Sequence, residues 1–179
     1  MLPNEVISMN MCITPCLWFT KDAEEAMNFY VDIFNSSPHS SKNSKILSIK
    51  RYAADMKVPG ASELAGKVLT AMFELNGQKF TCLDGGPLFE FNESVSFLVE
   101  CKDQVEVDHF WDRFIADGGK ESQCGWLKDK FGVSWQIIPK QLGQLASDPD
   151  PVKSKRVVDR MLEMKKIIIT DLEKAYAGK

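Results

Sequence analysis

SVSFLVECKDQVEVDHFWDRFI, residues 94–115, reads as an apolar strand running through a polar joint into an amphipathic helix. The chain has already written this unit once: ITPCLWFTKDAEEAMNFYVDIF, residues 13–34, stands 81 positions earlier. At that offset Asp22 falls on Asp103, Glu25 on Glu106, Phe29 on Phe110 and Tyr30 on Trp111. Both helices open on an acidic residue followed three positions later by glutamate, the pattern of a capping box, and both carry one apolar stripe at helical spacing. The closing segments correspond as well. NGQKFTCL (residues 76–83) lies over KFGVSWQII (residues 130–138), with Gly77 on Gly132 and Phe80 on Trp135. Chance similarity of two amphipathic helices does not explain a shared start, a shared aromatic pair and matched final strands. The organising idea is an internal repeat of a β-α-β-β-β unit.

Between the two copies, two strands are expected around residues 45–53 and 67–75, and Asn76-Gly77 predicts a tight hairpin. The first strand is expected over residues 12–19. After Pro139 the chain changes character. Asp150 followed by Pro151 marks a helix start, Val157, Met161, Met164 and Ile168 share a face, and TDLE (residues 170–173) resembles a further capping box. Residues 11–140 therefore read as one domain, with modules at about 11–86 and 92–140. Residues 147–179 read as a helical extension, lying on the domain's own surface or on a partner subunit.

Composition bounds the function. With 22 Lys and Arg against 25 Asp and Glu, the net charge is −3 and no basic stripe is present, which disfavours nucleic acid and an anionic membrane surface. No apolar run reaches the roughly 18 residues of a membrane span, and residues 1–10 lack the basic-then-apolar pattern of a secretory signal. The five cysteines, Cys12, Cys16, Cys82, Cys101 and Cys124, form no C-x-x-C and fit small apolar side chains in a reducing cytoplasm.

Paired β-α-β-β-β units resemble the vicinal-oxygen-chelate fold of glyoxalase I, extradiol dioxygenases and bleomycin-resistance proteins. ITPCLWF, AMNFY, LSIKRY, GGPLFEFNESVSFLVEC, WDRF and ESQCGWLKDKFGVSWQIIP are similar to a narrower, PhnB-like branch, often labelled 3-demethylubiquinone-9 3-methyltransferase. The similarity is read over about residues 11–178. It implies an α+β fold in which the two modules form a curved mixed-sheet cup, and a homodimer in which pairing between chains can complete that cup. The label itself is not supported by a nucleotide-type motif: Gly85-Gly86 is followed by Pro87 and not by a helix.

In metal-dependent members of the superfamily, each module gives one ligand from its first strand and one from its last. Counting from the aligned aromatics, those slots fall on Pro15, Thr81, Ser96 and Gln136. A proline and three neutral oxygens hold a divalent cation poorly, so neither metal nor cofactor is expected. His39 and His109 are both read as solvent-facing, which leaves no Cys-His or Ser-His-Asp arrangement and no catalytic residue to name. Trp18, Trp111 and Trp135 are assigned to the core, and Trp126 to the cup. Cys124, beside Gly125, is either a reactive thiol or a packed strand cysteine. Glu74 and Asp84 are candidate acids, and each reads rather as solvated or turn-forming. The expected function is binding of a small, partly apolar molecule through Thr81, Ser96, Gln123, Trp126 and Gln136. The alternative is an enzyme: the methyltransferase of the label, or a lyase, isomerase or dioxygenase whose metal lies elsewhere.

Overall fold

The structure, a computed structural model, describes residues 13–56 and 61–179, with residues 61 and 62 as backbone. Cys12, expected to begin the first strand, lies outside the described residues. The first module runs β1 (Cys16–Phe19), α1 (Ala23–Ser36), β2 (Lys45–Arg51), a helical turn α2 (Ala61–Leu64), β3 (Val68–Leu75) and β4 (Gln78–Asp84). The second runs β5 (Phe97–Cys101), α3 (Gln104–Ile115), β6 (Lys120–Glu121), β7 (Trp126–Lys128) and β8 (Ser134–Pro139). Each module folds its strands into one four-stranded sheet, ordered β1-β4-β3-β2 and β5-β8-β7-β6. First and last strands pair in parallel and the others antiparallel. The expected hairpin forms where Asn76 and Gly77 both take positive φ, 46° and 90°, the geometry of a two-residue turn between twisted strands.

The helix starts differ in a way the repeated sequence hides. Asp103 does cap α3, accepting the Glu106 amide at 3.0 Å, while Glu106 reaches back to the Lys102 amide at 2.7 Å. Asp22 makes no such bond at α1. Asp84, from the far end of β4, caps α1 instead. It is buried, and its two carboxylate oxygens accept the amides of Ala23 at 2.8 Å and Val68 at 2.9 Å. The reading of Asp84 as a solvated or turn residue is thereby corrected.

The two modules share one core. Phe34 of α1 meets Phe110 of α3 with ring centroids 5.1 Å apart, Phe80 of β4 meets Phe97 of β5 at 5.2 Å, and Trp135 touches Tyr30 at 5.3 Å and Phe114 at 4.4 Å. At the junction Asp129 is buried and accepts four hydrogen bonds. Its donors are the Tyr30 hydroxyl at 2.8 Å, the Trp135 indole at 2.8 Å, and the amides of Phe131 and Val133 at 2.9 and 3.0 Å. His109 is not solvent-facing: its Nε2 lies 2.9 Å from the Ile33 carbonyl, pinning α3 to α1. Trp111 and Trp135 are core residues as read. Trp18 is not. It is half-buried, its ring stands against Phe89, and its indole donates to the Gly86 carbonyl at 3.0 Å.

The repeat slips by one residue. Cys16 stands opposite Thr81, and Leu98 opposite Gln136. The helices correspond at an offset of 81, but β1 and β5 correspond at 82, because the joint between β5 and α3 is one residue shorter than that between β1 and α1. Cys16 and Leu98 are exposed while Leu17, Phe19 and Cys101 are buried. Alternation along a strand therefore puts Cys16, not Pro15, on the face opposite the core.

The tail packs in cis on the second module, as three helices: α4 (Lys140–Ala146), α5 (Pro151–Leu162) and α6 (Ile169–Ala177). Asp150 caps α5 through the amides of Val152 and Lys153, as its sequence predicts. Thr170 does not cap α6; Gln104 of α3 does, accepting the Ile169 amide at 2.9 Å. Leu142, Val157, Met164, Ile167 and Leu172 bury one another as a second, smaller core. The carbonyls of Met164 and Lys165 accept the amides of Cys124 and Gly125, at 2.7 and 2.8 Å. Lys166 reaches Asp108 and Asp112 of α3 at 3.0 and 3.2 Å.

Candidate functional site

The slots fall as two pairs, each closed within its own module. On the first sheet, the Pro15 carbonyl accepts both the amide and the hydroxyl of Thr81, at 2.8 and 3.3 Å. On the second sheet, Gln136 Nε2 donates to Ser96 Oγ at 2.8 Å, and Trp126 stands opposite Gln136 in the β7–β8 register. Ser96, Trp126 and Gln136 thus share one sheet face, with Leu98 beside them, 56% exposed. The Gln136 side chain is oriented by its serine partner, which leaves its carbonyl oxygen to accept from a ligand. Lys128 and Glu93 form an ion pair of 2.6 Å nearby, and the lysine's hydrogen bond holds the Glu93 carboxyl below its ordinary range.

Gln123 is exposed on the turn before β7, where its main-chain carbonyl accepts the Trp126 amide. Cys124 belongs to the same turn. It is half-buried with φ +58°, and its amide is held by the tail. Two backbone donors aimed at the tail explain this bend, so the turn is a docking point. Gly125 beside it has φ +83°, and a Cβ there would stand 2.7 Å from Ile138 Cδ1. No side chain but hydrogen fits.

The donors at the slots are the Cys16 thiol, the hydroxyls of Thr81 and Ser96, and the Gln136 amide, with apolar Leu98 in the corrected first-strand position of the second module. Among the described residues, no three His, Cys, Asp or Glu side chains are grouped as metal ligands. A divalent cation of the kind the superfamily uses would find neither carboxylate nor imidazole there, and these residues do not fit one. His39 pairs with Asp103 at 2.7 Å, away from both pairs.

Sequence reasoning missed Ser134. It is 2% exposed, its hydroxyl has no hydrogen-bond partner, and it lies two residues before Gln136 on the same strand. A serine between the apolar Val133 and Trp135 is the signal that marked it.

The family model for 3-demethylubiquinone-9 3-methyltransferase matches residues 11–138. The match ends within β8, so the tail helices, read above as part of the resemblance, lie outside it. Among solved structures, the chain is 37% identical to a Bacillus cereus PhnB protein, described as a putative 3-demethylubiquinone-9 3-methyltransferase, over 72% of this chain and 99% of that one, with a TM-score of 0.60. A Pseudomonas aeruginosa protein matches at 18% identity, covering 70% and 94% of the two chains, with a TM-score of 0.55. The fosfomycin resistance protein FosX of Listeria monocytogenes, solved with Mn(II) and sulfate, matches at 16% identity over 71% and 89%, with a TM-score of 0.45, too distant to carry anything further. No curated protein matches the chain. Two β-α-β-β-β modules in one chain, the matched length and the identity to the Bacillus protein together place this chain in the PhnB-like 3-demethylubiquinone-9 3-methyltransferase family, with the vicinal-oxygen-chelate fold.

Proposed function

We propose that the chain is a metal-free small-molecule-binding protein of the cytoplasm that works as a homodimer. The observation that carries the reading is the uncharged cluster of Ser96, Trp126 and Gln136 on one sheet face, where a flat aromatic lies beside an oriented amide. Such a surface takes a small, partly apolar molecule with a hydroxyl or carbonyl group. Thr81 and Cys16 make the matching half-site on the other sheet, and a second copy would bring one module's half against the other's. Four cysteines among the described residues, Cys16, Cys82, Cys101 and Cys124, are free thiols, in keeping with a reducing compartment. Among the described residues no helix is long and apolar enough to cross a membrane.

Metal analysis of full-length protein purified without chelator tests the reading. The expected result is far less than one divalent ion per chain. An ion bound in stoichiometric amount and lost on changing Thr81 or Gln136 to Ala would overturn it. The methyl-transfer reading stands on the family name. A thermal shift on adding S-adenosylmethionine would bring it forward, and none is expected.

A further inference from the structure

A second place for a ligand lies where β1 meets the entry to the second module. There a cleft of about 430 Å³, within the range of small-molecule sites, is walled by Leu17, Val95, Phe97 and Val133, with Cys16 and Glu90 also in its lining. Ser134 lines it too. Ser134 stands opposite Lys128 in the β7–β8 register, and its side-chain hydroxyl is left without a partner. A buried hydroxyl without a partner is costly, and native structures supply one from protein, water or ligand. Ser134 also lines a smaller cleft of about 260 Å³, beside Trp126 and the Lys128–Glu93 ion pair. The apolar walls belong to the larger one.

We infer that this cleft binds a neutral, ring-sized molecule whose single hydroxyl or carbonyl group is recognised by Ser134. Leu17, Val95, Phe97 and Val133 contribute burial of an apolar body, and the serine hydroxyl both donates and accepts. The exposed Glu90 carboxylate disfavours an anion. The cleft shares Cys16 with the half-site on the first sheet but includes none of Ser96, Trp126 and Gln136, which carry the function proposed above.

Phenol and toluene, which carry a hydroxyl and a methyl group on the same ring, are the probes. Cys16 is exposed and lines the cleft, so its rate of alkylation by iodoacetamide, read on the full chain by peptide mass spectrometry, reports occupancy. Phenol is expected to protect Cys16 at concentrations about fivefold lower than toluene, the worth of one hydrogen bond. Ser134→Ala should remove that advantage while leaving protection by toluene in place. Cys124, which the cleft does not include, is the internal reference and should react at an unchanged rate. The inference is overturned if Cys16 is not protected, if phenol and toluene act alike on the unmodified protein, if Ser134→Ala keeps the preference for phenol, or if Cys124 slows in step with Cys16.

Discussion

Asp129 joins the modules through a single carboxylate. Burial pushes its carboxyl above the ordinary range, and the bonds from Trp135, Tyr30 and two amides offset that only in part. Replacing it with asparagine keeps the shape but turns one acceptor into a donor, facing either the Trp135 indole and Tyr30 hydroxyl, which share Oδ2, or the Phe131 and Val133 amides, which share Oδ1. Asp129→Asn is expected to cost about 1–3 kcal/mol, the penalty for a buried donor left unpaired. Urea unfolding with an unchanged slope would show it, and a loss near zero would mean that water replaces the lost bond. The glycines offer a second comparison at this scale. Gly77 has φ +90° and nothing within 4 Å of a new Cβ, so Gly77→Ala should cost only the left-handed backbone, about 1 kcal/mol. Gly125→Ala adds contacts of 2.7 Å to Ile138 and 3.0 Å to the Ile137 carbonyl. It should lower the melting temperature distinctly more than Gly77→Ala. Equal losses would show that Ile138 and the β8 backbone yield without resistance.

At the scale of elements, the periodic features were legible and the long-range ones were not. Strand alternation, two amphipathic helices and Asn76-Gly77 write themselves locally, and each formed within a few residues of its expected place. The cap on α1 comes from Asp84 and that on α6 from Gln104, each more than sixty residues away in sequence. No local motif could have announced them. The one-residue slip of β5 had the same origin, since a strand's register is set by its partner β8 and the helix offset says nothing about it. That slip moved the first slot from Pro15 to Cys16. Ser96, Trp126 and Gln136 fall on one sheet face because parity along strands survives a slip by two, whereas Gln123 sits in a turn where parity has no meaning. The tail elements also titrate together. A bond from the Tyr176 hydroxyl holds Asp148 below its ordinary range, Arg160 does so for Asp171, and the Trp111 indole and then Lys165 do so for Glu121. Lowered carboxylates contribute stability that is present above their unfolded values, near 4, and lost as pH falls through the lower folded values. Asp129, raised by burial, has the opposite sign. Acid is therefore expected to loosen the tail before the core. In an NMR titration below about pH 4, the Cys124 and Gly125 amides should shift while the Trp135 indole stays in place; the reverse order would reject this assignment.

For the whole molecule, the common core has a consequence for assembly. Phe80, Phe97, Tyr30 and Trp135 bury the same face of both sheets against one another and against α1 and α3. The opposite faces are left to carry Cys16 with Thr81 on one sheet and Leu98 with Gln136 on the other, and Leu98 is a large apolar side chain with more than half its surface in water. An exposed leucine beside an oriented amide is what a second copy would cover. The tail buries Leu142, Val157, Met164, Ile167 and Leu172 on one another and on Ile138, and leaves Val152 and Leu162 exposed. Two variants separate these roles. Ending the chain at Asp150 should lower the melting temperature, by stripping the cover from Ile138 and the Cys124-Gly125 turn, and leave the sedimentation behaviour that of a dimer. Leu98→Lys should do the converse, giving a folded chain with a near-unchanged melting profile that sediments as a monomer at micromolar concentration. If the truncated chain is the one that falls to monomers, the tail holds the copies together and the outer sheet faces meet something other than a second chain.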